Sequence, residues 1–262
     1  MKLLRAADTL FPDDILHVCA FSGGAASAVM SKMVAEAHPG KTVLLYHSTR
    51  TEPDDNDRFR REVSGFIGLP ITERSDGRDI WQVFKDHRFL GNQHVTPCSE
   101  DLKQIMGDRF MATCPPGSIK YLGYTSEEVV RATRASCRAA SKGYRCEFPL
   151  IRAGIGKVEC LARVTKCWGI RLPEMYDWAE HANCVPCVKG GLAYWGMVYL
   201  NAPEAWERAA RAEEESGGYQ ILKDSQYGML REELPHCLEL ARAYMEKRAG
   251  AVLYDVPCEC VV

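Results

Sequence analysis

The sequence predicts an α/β fold: a parallel sheet with helices on both faces, followed by a helical extension that carries cysteines. Three observations predict it. Apolar runs at 17–21, 41–47 and 120–124 alternate with stretches of helical period, the pattern of strands joined by crossover helices. The first run breaks at Ser22-Gly23-Gly24 and a helical pattern begins at once, from Ala25 to about Ala37, so a strand ends in a glycine turn that opens a helix. Beyond residue 145 the strands give way to helical segments interrupted by a close cysteine pair.

Taken in order, His17 to Phe21 is the first strand and Lys41 to His47 the second. Glu52 to Phe66 follows as a helix, with Pro53 early and acids in its first turn. Ile71 to Arg74 reads as a short third strand. Ile80, Trp81, Phe84 and Phe89 recur at helical spacing and predict a helix over 78–89. Another helix covers 99–112, and after the Pro115-Pro116-Gly117 turn Lys120 to Tyr124 is a strand. In the second half, 147–151 is a short apolar piece, and 156–168, 173–180, 192–200, 203–216 and 235–248 read as helices. Pro203 and Pro235 are placed at helix starts, where a missing N–H costs nothing. The simplest division is a nucleotide-binding domain at 1–145 and a helical region at 146–262.

Composition narrows the function. At 46% hydrophobic and 26% charged, the chain reads as a globular domain, not a disordered or membrane one. It has no apolar run long enough to span a bilayer, and Met1 to Arg5 is too short and too soon charged for a signal peptide; the expected location is cytoplasmic. A net charge of -2 offers no whole-chain argument for nucleic-acid binding. The twelve cysteines favour metal, cluster or redox chemistry over structural disulfides in such a chain.

The glycine turn is the candidate phosphate site. Its backbone can approach a ligand closely, the helix N-terminus offers free N–H groups, and the hydroxyls of Ser22 and Ser27 add donors. Walker A is absent, as is the dinucleotide fingerprint. The triplet alone also fits an ordinary tight turn. Its place after the first strand, at the carboxyl edge where open α/β sheets bind ligands, favours a site.

Ser22-Gly23-Gly24-Ala25-Ala26-Ser27 resembles the PP-loop signature Ser-Gly-Gly-x-Asp-Ser of the adenine nucleotide α-hydrolases. That superfamily has a Rossmann-like (HUP) fold and includes ATP pyrophosphatases and phosphoadenosine phosphosulfate (PAPS) reductases. Ala26 stands where the family carries an aspartate, which in pyrophosphatases is associated with the metal–nucleotide complex. Further pieces resemble the PAPS-reductase-like proteins of bacteriophage and mobile elements. These are His47 to Glu52, Cys98-Ser99-Glu100-Asp101-Leu102-Lys103, Gly123 with Glu127, Glu128 and Arg131, and Asn183 to Lys189. The resemblance spans roughly 17–216 and implies an adenine nucleotide, ATP or PAPS with Mg2+, held by Ser22, Gly23, Gly24, Ala25, Ser27, Glu52, Gly123 and Arg131.

Cys184 and Cys187 form a Cys-x-x-Cys, and Cys258 and Cys260 a Cys-x-Cys. Each pair can turn two thiolates onto one centre, and two pairs complete a tetrahedral set. Cys98 is a further candidate ligand; placed just before a helix, it is also a candidate thiolate. Three readings stand: a [4Fe–4S] cluster, favoured because related thiolating enzymes and reductases hold one; a structural Zn2+; and free thiols. Classical sulfonucleotide reductases end in Glu-Cys-Gly-x-His, whereas this chain has Glu259-Cys260-Val261-Val262. Cys160 and Cys167 read as core residues, as do Trp195, Tyr199 and Trp206.

Arg131, Arg134, Arg138 and Lys142 share one helical face, which suits phosphates of a nucleotide, RNA or DNA as well as plain solvation. Gly143 is expected to end that helix, leaving Arg145 outside it. Lys189 follows the cysteine pair, and His181 reads as a surface residue. The favoured function is sulfur chemistry on an adenine nucleotide through the cysteine centre, with Cys98, Lys103 and Cys260 as catalytic residues. Nucleic-acid thiolation, with tRNA or DNA and a sulfur or electron donor protein as partners, leads. Sulfonucleotide reduction and a non-enzymatic, zinc-containing nucleotide-binding regulator are the alternatives.

Overall fold

A computed structural model describes residues 15–92, 94–182, 184–222 and 227–250. Five parallel strands make one sheet: β1 (His17–Ala20), β2 (Thr42–Ser48), β3 (Ile71–Ser75), β4 (Ile119–Leu122) and β5 (Arg145–Glu147), in the order β3-β2-β1-β4-β5. The order reverses between β1 and β4, so the loops leaving those strands part and open a crevice at the carboxyl edge. The architecture is Rossmann-like.

Helices flank the sheet. α1 (Ala25–Ala37) follows β1 directly. α2 (Asp54–Ile67) begins behind Pro53, carries Asp54, Asp55 and Asp57 in its first turn where they complement the helix dipole, and stops at the left-handed Gly68. α3 (Ile80–His87) opens with a capping box in which Asp79 accepts from the Gln82 N–H and Gln82 accepts from the Asp79 N–H. α4 (Pro97–Ser99), a π-helical stretch Glu100–Ile105 and α5 (Met106–Thr113) run on from one another before β4. After β4 come α6 (Val129–Ser141), then α7 (Pro149–Arg152) and α8 (Lys157–Ala162).

Side-chain alternation along the strands sends Cys19, Leu44, Ile119 and Tyr121 to one face, where they pack with α1, α2, α7 and α8. Val18 and Leu45 face the other way, against Met111 of α5. A separate apolar core joins α3 and Leu102 to α9 (Leu192–Asn201), α10 (Pro203–Glu215) and α11 (Leu230–Gly250), around the buried Trp195 and Trp206. Tyr199 sits at its rim, stacked edge-on against Trp206. Cys160 is buried in the core beside the sheet. No described helix is long and apolar enough to cross a membrane.

Three sequence expectations change. The helix expected over 173–180 is only a 3-10 turn, Glu174–Asp177. Residues 145–147 form an edge strand, paired with β4, that the sequence did not announce. α11 begins at Leu230, a turn before Pro235, because the buried Glu213 carboxylate accepts the Leu230 N–H at 2.7 Å and the Ile221 N–H at 2.7 Å. A distant side chain thus does the work of a local cap.

Candidate functional site

The crevice at the carboxyl edge is a cleft of about 1690 Å³. Ser22, Gly24, Ala25, Ala26 and Ser27 line it from one side. Ser22 Oγ donates to Ser27 Oγ at 3.2 Å, and Ser27 Oγ donates to the Gly24 carbonyl at 2.8 Å. The first-turn N–H groups of a helix have no acceptor within it; that of Ala25 is taken by Tyr176 Oη at 3.2 Å. Gly23 adopts a left-handed φ of 83°, and the stem of Arg60 from α2 lies beneath it, with the Arg60 guanidinium 3.9 Å from the Tyr46 ring centroid. At the far end of α2, Asp55 accepts from Arg58 and Arg171 and from the Glu174 N–H, which ties the helix to the turn that bears Tyr176.

Gly123, the first residue after β4, closes onto this loop. A Cβ at Gly123 would lie 2.8 Å from Ser27 Cα and 2.9 Å from Ser27 N. Only a residue without a side chain lets the two switch-point loops touch. Beyond it, Thr125 and Glu128 form a capping box, and Arg131 pairs with Glu128 while its guanidinium stands 4.7 Å from the Tyr124 ring centroid. Of the basic face expected on α6, Arg138 is bound to Glu100 and Asp108, and Arg145 belongs to β5 and pairs with Glu147. Arg134 lines the cleft and has no ion pair among the described residues.

The opposite wall carries the cysteines. Thr49 Oγ1 donates to Glu52 Oε1 at 2.7 Å and the Thr49 N–H donates to the same carboxylate at 3.0 Å. Glu52 therefore closes the turn after β2 as well as lining the cleft. Thr49 Oγ1 is also 2.9 Å from Cys184 Sγ, and Lys103 Nζ donates to that sulfur at 3.6 Å. The neighbouring Cys184, and after it Glu52, hold the Lys103 pKa above its ordinary value against the cost of burial. The Cys187 N–H donates to Tyr194 Oη at 2.8 Å, which in turn donates to the Cys184 carbonyl. Lys189 is exposed on the same wall, and His181 is exposed nearby.

So the cleft gathers Ser22, Gly24, Ala25, Ser27, Glu52, Cys98, Lys103, Gly123, Arg131, Cys184 and Cys187. Gly23 lies under the loop against Arg60 rather than in the lining. Cys258 and Cys260 fall outside the described residues.

The metal expectation is overturned. Among the described residues, no group of three or more His, Cys, Asp or Glu side chains is arranged to hold a metal ion. The reason is local. Cys184 Sγ is engaged by the Thr49 hydroxyl and the Lys103 ammonium rather than by further acidic, histidine or cysteine ligands. Burial, reinforced by the neighbouring cysteines, pushes the Cys98 thiol up to about 12, and burial likewise raises Cys187. Cys98 is thus not the activated thiolate its position before a helix suggested. Cys98, Cys184 and Cys187 are free thiols and form neither the [4Fe–4S] nor the Zn2+ centre, and the described residues offer no such group for Mg2+ either. The sulfur transfer and sulfonucleotide reduction routed through that centre lose their carrier, as does a zinc-built regulator.

The sequence did not point to Tyr176 or Lys120, and it assigned His47 and Thr49, inside the matched piece His47 to Glu52, no role of their own; all four line the cleft. A lysine and a histidine inside otherwise apolar strands were the available signal for Lys120 and His47. Compared with known protein families and with curated proteins, the chain matches none.

Proposed function

We propose that this chain is a PP-loop enzyme that binds an adenine nucleotide with its phosphates on the Ser22–Ser27 loop. One observation carries the reading: the contact between Gly123 and the Ala26–Ser27 backbone, which brings the two switch-point loops together around a glycine turn at the mouth of a large cleft. Phosphate binding there draws on the helix N-terminus and the two serine hydroxyls. The adenine preference rests on the resemblance of the loop.

Across the cleft, Cys184 and Lys103 supply the chemistry. The Lys103 ammonium stands 3.6 Å from the Cys184 sulfur, and the thiolate is the nucleophilic form of a cysteine. The proposed reaction class is nucleotide-dependent group transfer: the Cys184 thiolate attacks an acyl carbon carried on the nucleotide's phosphate, the C–S bond forms as the C–O bond breaks, and the nucleotide phosphate leaves with the bonding electrons while Lys103 steadies the developing charge. No metal is assigned a part in it.

Calorimetric titration of the full chain with ATP tests the proposal. Ser22→Ala is expected to weaken binding about tenfold, the loss of one or two hydrogen bonds to a charged group. Equal affinity of Ser22→Ala and the parent protein, or no binding by the parent, would overturn it.

A further inference from the structure

On the face of the sheet away from α1, two basic side chains converge with no anion between them. Val18 pairs with Lys120 and Ala20 with Leu45, so Lys120 of β4 and His47 of β2 emerge on the same face, diagonally across β1. Ala20 lies between them with only a methyl group. From above, α5 presents Gly107: a Cβ there would lie 2.5 Å from Lys120 Nζ and 3.5 Å from His47 Cε1. The glycine leaves the space that the two side chains share.

Each keeps a polar atom without a partner, although the His47 ring is also hydrogen-bonded by the Met106 backbone. Lys120 is 7% exposed and makes no hydrogen bond or ion pair with any described residue; the Tyr144 ring centroid stands 5.6 Å from its ammonium. Of the groups that act on it, Cys146 is a thiol that burial pushes up to about 11, and Asp108 already accepts from Arg138 at 2.8 Å and from Tyr144 Oη at 2.6 Å. His47 Nε2 is enclosed and has no hydrogen-bond partner. Burial lowers the pKa of Lys120, and burial with Lys120, Lys103 and Arg74 nearby lowers that of His47 to about 4. A fold that buries polar groups ordinarily pairs them, and here both unpaired groups open onto the cleft.

We infer that Lys120 and His47 form a second oxyanion subsite, on the opposite side of the sheet from the glycine loop, that takes a phosphate or sulfate group. The anion supplies the missing acceptor for Lys120 and draws a proton onto His47. Arg134, exposed at the cleft and without an ion pair among the described residues, adds attraction at the entrance. The subsite stands independently of the nucleotide reading, since a free ion and a phosphate group of a larger ligand offer it the same chemistry.

The test titrates the full chain with inorganic phosphate and with sulfate, for the parent protein and for Lys120→Met, and records the melting temperature of each. Lys120→Met is expected to weaken both ions about tenfold or more while the ion-free melting temperature stays level or rises, because an unpaired buried amine is removed. Unchanged affinity, or a loss of binding that accompanies a fall in melting temperature, would overturn the subsite. Competition between phosphate and ATP, with Lys120→Met weakening both, assigns the subsite to a phosphate of the nucleotide; simultaneous binding assigns it to a free ion. Ser22→Ala serves as the separate control for the loop: if it leaves ATP binding untouched while Lys120→Met abolishes phosphate binding, the nucleotide reading falls and the subsite holds.

Discussion

Lys103 Nζ lies 3.6 Å from Cys184 Sγ, although 81 residues of chain separate them. The π-helical stretch Glu100–Ile105 delivers the lysine and the turn after Ala182 delivers the cysteine, so the pair exists only in the folded chain.

In the proposed reaction the pair supplies the nucleophile at Cys184. Replacing Lys103 by Met removes the ammonium beside its sulfur and is expected to slow alkylation of Cys184 by iodoacetamide roughly tenfold near neutral pH. Peptide mapping by mass spectrometry reads the rate at Cys184 separately from Cys98 and Cys187. An unchanged rate would remove Lys103 from the role given to it.

Gly123→Ala places a methyl carbon 2.8 Å from Ser27 Cα. Both partners are backbone, so neither can turn aside, and the two loops must part. The expected cost is about 1–3 kcal/mol of stability, with weaker ATP binding by calorimetry. Alanine at Gly65, where no atom lies within 4 Å of the added carbon and φ, as at Gly123, is not left-handed, separates the effect of contact from that of adding a methyl group.

Glu213→Ala strips the acceptor from the Leu230 and Ile221 N–H groups. Two orphaned buried donors are expected to cost about 2–5 kcal/mol in urea unfolding. Glu213→Gln keeps one amide oxygen and is expected to lose less.

His47 sets an acid limit. Its pKa falls from 6.5 in the unfolded chain to about 4 in the folded one. A lowered folded value means that its contribution is complete above pH 6.5 and is lost as pH falls through about 4. Urea titrations across that window should show a decline of about 3 kcal/mol that is smaller in His47→Phe. A parallel decline in both proteins would assign the acid sensitivity to other groups.

The sheet was legible because its inner strands are buried on both faces. Val18 to Phe21 and Val43 to Tyr46 must be apolar to lie between helix layers, and that leaves a plain signature. β5 escaped notice because it is a three-residue edge strand, and three residues carry no period. The pieces of the site, from Ser22 to Cys187, were legible as motifs, and they do share one cleft. Their mutual geometry was not. Spacing placed Cys184 and Cys187 side by side, but nothing local to them shows that Lys103 and Thr49 arrive from elsewhere to claim the Cys184 sulfur. Tyr176 reaches Ala25 over 151 residues, a contact that no window of sequence contains.

The contacts around the glycine loop close a ring. Arg60 supports Gly23 from below, α2 carries that support to Asp55, Asp55 holds the Glu174 N–H, and two residues on Tyr176 returns to the Ala25 N–H. A turn clasped at both ends has little conformational entropy left to surrender when a ligand arrives. Much of the ordering that usually opposes association is then done during folding. Loosening any link, for instance with Tyr176→Phe, would return that disorder to the unliganded loop and show itself as a less favourable entropy of binding rather than as a missing contact with the ligand.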